Sequence, residues 1–329
     1  MKNMRVKNYL SYYLKHKTSY GILLEGEWGI GKTHFMNSYI KTEENIFPIR
    51  INLFGLSTID EIDEIIENMI LFHLDDDLTD NNQGDFQQLG YRITSKLLKI
   101  VKHEKIQELG NKYTKIVTDT ATRKRLENKK NISKTKIIYI FDELERTNID
   151  MKIILGYIHL MLEKDNAKII VIANENKIED KNEYTEYKDK IIGKTFKIES
   201  DLVNAYSNFV LSNKESICFK QQKEILQMIE NNFDIINFRY LNQTIIEFVY
   251  FEEQSEEEKL NISDIRMLEI AKDYFLLSIK IKKCELDISD EKGFQDYKSL
   301  TYMGWKQFIL NGYFTQEEWK RNIKKIIYE

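Results

Sequence analysis

The chain has 329 residues, of which 42% are hydrophobic and 31% charged, and it contains a single proline. This composition excludes a disordered or fibrous chain and predicts a globular protein rich in helix, long enough for two domains of ordinary size. The formal net charge is −4, with 49 basic and 53 acidic side chains. The overall charge therefore does not indicate a nucleic-acid binder, and any such contact would need a local basic patch.

The cysteines and the apolar runs indicate where in the cell the protein is expected. Cys218 and Cys284 lie far apart without metal-ligand spacing, so we expect free thiols. The longest apolar runs, 137–141 and 169–173, are too short to span a bilayer. The N-terminal residues do not resemble a signal peptide. We therefore expect a cytoplasmic protein that makes no membrane contact.

Strand and helix patterns alternate through the first 200 residues. Met4 to His16 is predicted as an amphipathic helix, and Thr58 with Glu61 forms a capping-box pair that predicts the start of another. Five segments have the apolar character of strands: 20–24, 47–54, 137–141, 168–173 and 194–198. Further helices are expected at 151–162 and 186–192. This alternation predicts an α/β fold with a parallel sheet of about five strands and helices on both faces.

Two regions depart from that alternation. Residues 86–130 are predicted as a helical insertion, with helices at 89–107 and 113–128, which delays the third strand. From Asp201 onward the pattern is helical, with segments at 205–211, 221–229, 238–251, 265–282, 302–309 and 316–327. We therefore predict a core domain over 1–200 and an all-helical lid or C-terminal domain over 201–329.

The first predicted strand leads into residues 26–33, which match the P-loop pattern G-x-x-x-x-G-K-[ST]. Such a loop, placed between a strand and a helix, surrounds phosphates with backbone N–H groups and faces them with a helix N-terminus. Lys32 is expected to reach the β and γ phosphates, and the Thr33 hydroxyl to hold Mg²⁺. A chance match in a structural turn is disfavoured by the strand and helix on either side. The predicted nucleotide-binding residues here are Gly26, Glu27, Trp28, Gly29, Ile30, Gly31, Lys32, Thr33 and His34.

The strand at 137–141 is continuously apolar, as expected of a parallel strand covered on both faces, and it is followed by two acidic residues. Asp142 is predicted to hold Mg²⁺, and Glu143 to deprotonate the attacking water. An acidic turn is the alternative explanation. We also expect the P-loop strand and the Asp142 strand to be adjacent, with Lys32 and Asp142 beside one another.

Three further residues are candidates for roles around the phosphates. Asn174 follows the fourth strand and is predicted to reach the attacking water or the γ-phosphate, although a turn role is equally compatible with its position. Arg239, at the start of a helix, is placed to reach back to the nucleotide, with a surface ion pair as the alternative. Arg146, or an arginine of a neighbouring subunit, could stabilise the transition state. Residues 176–179 differ by one residue from the guanine-reading pattern N-K-x-D, so GTP remains an alternative to ATP.

A basic run closes the insertion and could contact a nucleic-acid backbone, although a solvated helix face is the more common role of such runs. Its members are Arg123, Lys124, Arg125, Lys129, Lys130, Lys134 and Lys136.

Together these motifs resemble the AAA+-related P-loop NTPases with an added catalytic glutamate (ASCE class), and among them the KAP-type and STAND-like NTPases of bacteria. Residues 26–33 match Walker A, and residues 137–146 match Walker B of the KAP type, D-D-x-D-R, with Glu143 and Glu145 where the family pattern has Asp. Asn174 corresponds to sensor 1. The remaining likenesses are 190–192, before the last core strand, and 237–239, at the start of the sensor-2 helix.

The resemblance implies an ATPase that uses ATP and Mg²⁺, forms homo-oligomers and works with a partner effector protein, often in anti-phage defence or signalling. Two alternatives stay open. One is a nucleotide-gated scaffold or switch with little turnover, and the other is an ATPase that handles DNA through the Arg123–Lys136 patch. The rest of the sequence contains no nuclease, protease or deaminase constellation, which favours a partner that carries any effector chemistry.

Overall fold

The computed structural model describes residues 3–43, 46–76, 136–165, 167–179 and 181–322. The predicted insertion at 86–130 lies outside the described residues. The same is true of the Arg123–Lys136 patch except for Lys136, whose Nζ donates a 2.7 Å hydrogen bond to the carbonyl oxygen of Leu14.

The chain divides into two compact units. The sheet unit comprises Arg5–Glu25 and Phe35–Phe196. The helical unit comprises Met1–Met4, Gly26–His34 and Lys197–Glu329 and therefore includes the P-loop. The domain boundary expected near Ser200 stays a prediction.

In the described part of the chain, the sheet has five strands in the order β2-β3-β4-β1-β5. Their bounds are Gly21–Glu25 for β1, Ile46–Asn52 for β2, Lys136–Asp142 for β3, Lys168–Ala173 for β4 and Ile192–Lys197 for β5. The pairs β2–β3, β3–β4 and β4–β1 are parallel. The predicted fold, a parallel sheet of five strands with helices around it and a helical region after it, is confirmed.

The expected adjacency of β1 and β3 is wrong, because β4 lies between them. In β4, every residue from Ile169 to Ala173 is buried. A strand covered this completely gains most from pairing on both edges, which explains its central place. Asp142 and Leu24 are both in register with Ile172, so the strand ends still reach the same edge of the sheet.

Helices follow or precede the strands of the sheet unit. They are α1 (Met4–Lys15), α2 (Lys32–Ile40), α3 (Ile59–Asp76), α4 (Met151–Asp165) and α5 (Lys181–Ile191). The predicted capping box is confirmed, since the Thr58 N–H donates to Glu61 Oε2 at 2.9 Å and the Glu61 N–H to Thr58 Oγ1 at 3.3 Å. Helix α5 begins before the predicted position, and its early residue Tyr184 is buried despite the polar sequence around it.

The helical unit contains seven helices among its described residues after Ser200, and they share one core rich in aromatic rings. Their bounds are Leu202–Val210 (α6), Ile217–Lys220 (α7), Gln222–Asn232 (α8), Phe238–Glu257 (α9), Asp264–Lys282 (α10), Tyr302–Asn311 (α11) and Gln316–Asn322 (α12). Phe308 stacks on Tyr274 at a centroid distance of 4.4 Å. No helix in the described part of the chain is both long enough and apolar enough to cross a membrane.

Candidate nucleotide-binding site

The P-loop follows β1 directly, and two of its glycines have backbone conformations that other residues rarely adopt. The φ angle is +73° at Gly29 and +101° at Gly31. A Cβ placed on Gly31 would lie 3.2 Å from the Phe238 ring. The loop conformation therefore requires glycine at these two positions. Without a Cβ, the loop backbone can also approach a bound phosphate closely.

The Lys32 side chain is turned into the loop. It is only 8% exposed, and its Nζ donates to the carbonyl oxygens of Gly26 at 2.5 Å and Glu27 at 3.0 Å. The loop carbonyls thus hold the ammonium group within the phosphate-binding segment. Of the neighbouring predicted ligands, Thr33 is half-buried and His34 exposed.

The start of α9 contacts the P-loop inside the helical unit. Asn237 caps α9 by accepting the Arg239 N–H at 2.9 Å, and the Phe238 N–H donates to the carbonyl oxygen of Gly29 at 2.8 Å. A Cβ on Gly29 would lie 1.9 Å from Asn237 Oδ1. The Arg239 side chain is exposed. The predicted sensor-2 segment therefore touches the loop through Asn237 and Phe238, two residues for which sequence reasoning assigned no such role.

At the end of β3, Asp142 is 2% exposed and both of its carboxylate oxygens accept hydrogen bonds. Oδ1 accepts the Glu143 N–H at 2.9 Å, and Oδ2 accepts the Arg50 guanidinium. Glu143 has a left-handed backbone, with φ 60° and ψ 43°. Such strain in a residue other than glycine is concentrated at functional sites.

Asn174 is fully buried at the end of β4, the strand next to β3. Its Oδ1 accepts the Asn176 N–H at 3.2 Å. Asp142, Glu143 and Asn174 are thus brought to the same edge of the sheet, where β1 ends as well. Arg146 lies in the short helical turn after Glu143, with its guanidinium 5.5 Å from the centre of the Phe54 ring.

The residue after Asn174 belongs to a cluster that sequence reasoning missed. Glu175 Oε1 accepts both the Tyr184 hydroxyl and the Lys188 ammonium at 2.7 Å. Burial raises the pKa of Tyr184, and the nearby carboxylate of Glu175 raises it further. The contacts connect the end of β4 to α5. A glutamate in a polar stretch gives no sequence signal of this kind.

The residues present fit a magnesium–nucleotide complex. The loop backbone is the cradle that a Cβ at Gly29 or Gly31 would obstruct. In the helical unit the Thr33 hydroxyl, and in the sheet unit the Asp142 carboxylate, are hard oxygen donors of the kind that Mg²⁺ prefers. Arg50 bonds to one of those carboxylate oxygens, so it occupies a position that a metal would also use.

Comparison with known proteins identifies the family of this chain. Curated proteins yield no significant match. The chain is similar to the solved structure of Cdc6p from Pyrobaculum aerophilum, with 11% identity, a TM-score of 0.44 and coverage of 97% of this chain and 83% of that one. Drosophila ORC bound to DNA gives 13% identity, a TM-score of 0.35 and coverage of 85% and 63%. Residues 5–259 match the model of the KAP family P-loop domain. The chain therefore belongs to the KAP family of P-loop NTPases.

Proposed function

We propose that this protein is a magnesium-dependent ATPase that hydrolyses the bond between the β and γ phosphates. The observation that carries the proposal is the acidic pair at the end of β3. Asp142 is buried, and Glu143 is held in a strained backbone conformation, at the sheet edge where β1 ends and the P-loop begins. A P-loop alone would support nucleotide binding, whereas this pair adds a metal ligand and a base for water.

Each residue has a role defined by its chemistry. Lys32 and the loop N–H groups bind phosphate oxygens, and Asp142 with the Thr33 hydroxyl would hold Mg²⁺. When bound, the metal supplies positive charge that balances the phosphate oxygens. Glu143 accepts a proton from the attacking water, and Asn174 orients that water.

Two arginines complete the proposal. Arg146, or an arginine of a second subunit, stabilises charge on the transferred phosphoryl group. Arg239 couples hydrolysis to movement of the helical lid.

The test compares nucleotide binding and phosphate release in variants with matched controls. Lys32→Ala should lose ATP binding, whereas Lys41→Ala, an exposed lysine just after α2, should not. Glu143→Gln should still bind ATP but turn over at least about a hundredfold more slowly. Exposed Glu186→Gln serves as its control. Equal turnover in Glu143→Gln and the parent would show that Glu143 does not activate the water. Parallel measurements with GTP and ATP show which nucleotide the protein prefers.

A second candidate is a nucleotide-gated switch with little turnover. The hydrogen bond from the Phe238 N–H to Gly29 favours this switch, because a change in the P-loop backbone on nucleotide binding would act directly on the start of α9. Mass measurement with and without ATP separates the two functions. Assembly that depends on nucleotide, with negligible phosphate release, supports the switch.

The wider role is also a proposal. On the family resemblance, the protein works as a homo-oligomer with an effector protein in bacterial anti-phage defence or signalling. DNA handling through the Arg123–Lys136 patch is a further option. Binding of DNA that weakens steeply with added salt would support it, and binding that ignores salt would count against it.

A further inference from the structure

Arg50 is a charged residue in a strand whose alternate residues are core. Phe47, Ile49 and Ile51 of β2 are buried in the apolar cluster of the sheet unit. Arg50 lies on the opposite face and is in register with Ile140, two residues before Asp142. The register therefore brings the guanidinium to the acidic end of β3.

The ion pair between Arg50 and Asp142 involves a group that solvent hardly reaches. The Asp142 side chain is 2% exposed and the Arg50 side chain 34%. Arg50 also donates from Nη1 to Asn37 Oδ1 at 3.4 Å, so its head is held from α2 as well as from β3. A buried carboxylate is costly unless its charge is paired, and here Arg50 supplies the pairing charge.

We propose that Arg50 is a positioning residue that competes with Mg²⁺ for Oδ2 of Asp142 and so makes metal binding depend on the nucleotide. This rests on the proposed ATPase function. Asp142 Oδ1 accepts the Glu143 N–H and Oδ2 accepts the Arg50 guanidinium, so a metal that bonds at Oδ2 must displace the guanidinium. The phosphates that arrive with the metal offer the displaced arginine a new anionic partner. Mg²⁺ alone has no such compensation and faces the repulsion of a neighbouring cation.

The test measures the Mg²⁺ concentration at the midpoint of fluorescent ATP-analogue binding. Arg50→Met and Arg50→Gln both remove the charge, and glutamine keeps a donor for Asp142. Both should lower the midpoint by about tenfold or more, because a full positive charge leaves the metal's surroundings. Arg50→Lys should stay close to the parent. Arg321→Met, which breaks an exposed ion pair with Glu317, is the control and should leave the midpoint unchanged.

A second readout needs no nucleotide. Mn²⁺ added without nucleotide should bind more tightly to Arg50→Gln than to the parent. Its electron paramagnetic resonance signal measures this binding. A midpoint or Mn²⁺ affinity that stays the same, or that weakens in both neutral variants, would overturn the competition. If the parent protein bound no nucleotide, the proposed ATPase function would be overturned instead. The Mn²⁺ comparison would still test the competition, because it needs no nucleotide.

Discussion

The backbone N–H of Phe238 donates a 2.8 Å hydrogen bond to the carbonyl oxygen of Gly29, which attaches the first turn of α9 to the P-loop. The Asn237 side chain fills the space beside Gly29 and at the same time caps α9. The loop and the helix therefore constrain one another, and a change in the loop backbone must be accommodated by the cap.

Gly29→Ala tests this constraint against Gly55→Ala. Both glycines have positive φ, +73° and +82°, but a Cβ on Gly55 would meet nothing within 4 Å. Gly55→Ala should lower the free energy of unfolding by about 1 kcal/mol through strain alone. Gly29→Ala should cost more, and it should weaken nucleotide affinity by about tenfold or more, for which a loop distortion of about 1.4 kcal/mol suffices. Denaturant unfolding and nucleotide titration give the two quantities.

The double variant Gly29→Ala with Asn237→Ala identifies the cause. Removing the Asn237 side chain should recover part of the loss of affinity, because the clash disappears while the backbone strain remains. Additive losses would show that Asn237 is not the obstacle.

The left-handed backbone of Glu143 predicts a trade of stability against activity. Asparagine adopts this conformation more readily than longer side chains do, so Glu143→Asn should be more stable to unfolding than Glu143→Gln by about 0.5–1 kcal/mol. Both variants should lose turnover, since neither carries a base. Thermal unfolding measures the stability of both variants, and phosphate release measures their turnover. Equal stability of the two variants would mean that Glu143 carries no strain there.

Local sequence patterns predicted most helices and strands, because a helix or strand depends on the type and spacing of its own residues. Strand β4 has the predicted bounds 168–173, and α9 begins at Phe238 as expected. Strand order was not accessible in this way, since an apolar run does not say which strand lies beside it. Placing β4 between β1 and β3 needs knowledge of long-range packing.

The unpredicted contacts of the candidate site share a physical reason. Arg50 lies in β2, at the end of the observed strand order, and 92 residues before Asp142, so no local pattern indicates that the two side chains pair. The bond from Phe238 to Gly29 joins backbone atoms, which no residue type announces. The motif residues were recognisable because phosphate chemistry requires them at fixed spacing, whereas their supporting residues are set by the fold.

The capping box of α3 predicts a stability effect away from the site. Thr58→Ala removes the hydroxyl that accepts the Glu61 N–H and should cost about 1 kcal/mol. Ser57→Ala is the matched control, because Ser57 contacts Glu61 through its backbone N–H, which the substitution keeps. Chemical unfolding of both variants measures the difference. A Thr58→Ala protein as stable as Ser57→Ala would show that the cap contributes nothing.

Glu252 in α9 predicts a dependence of stability on pH. Its carboxylate accepts the Ile217 N–H at 2.9 Å and the Ser216 hydroxyl, at the start of α7. Burial raises the pKa of Glu252 above its ordinary value of 4.5, although these two donors oppose the shift. The folded protein therefore holds this proton more tightly than the unfolded chain. The stabilisation is complete below pH 4.5 and is lost as the pH rises through the folded-state pKa.

Glu252→Gln isolates that contribution, because glutamine has nearly the same shape and does not titrate. The free energy of unfolding of the parent, minus that of Glu252→Gln, should fall as the pH rises from about 4.5 towards neutrality and then level off. Glu253→Gln, at the exposed neighbouring position, should show no such trend. Denaturant unfolding at a series of pH values measures the differences. A difference that rises with pH would show that the two donors outweigh burial, because they would then hold the Glu252 carboxylate in its charged form.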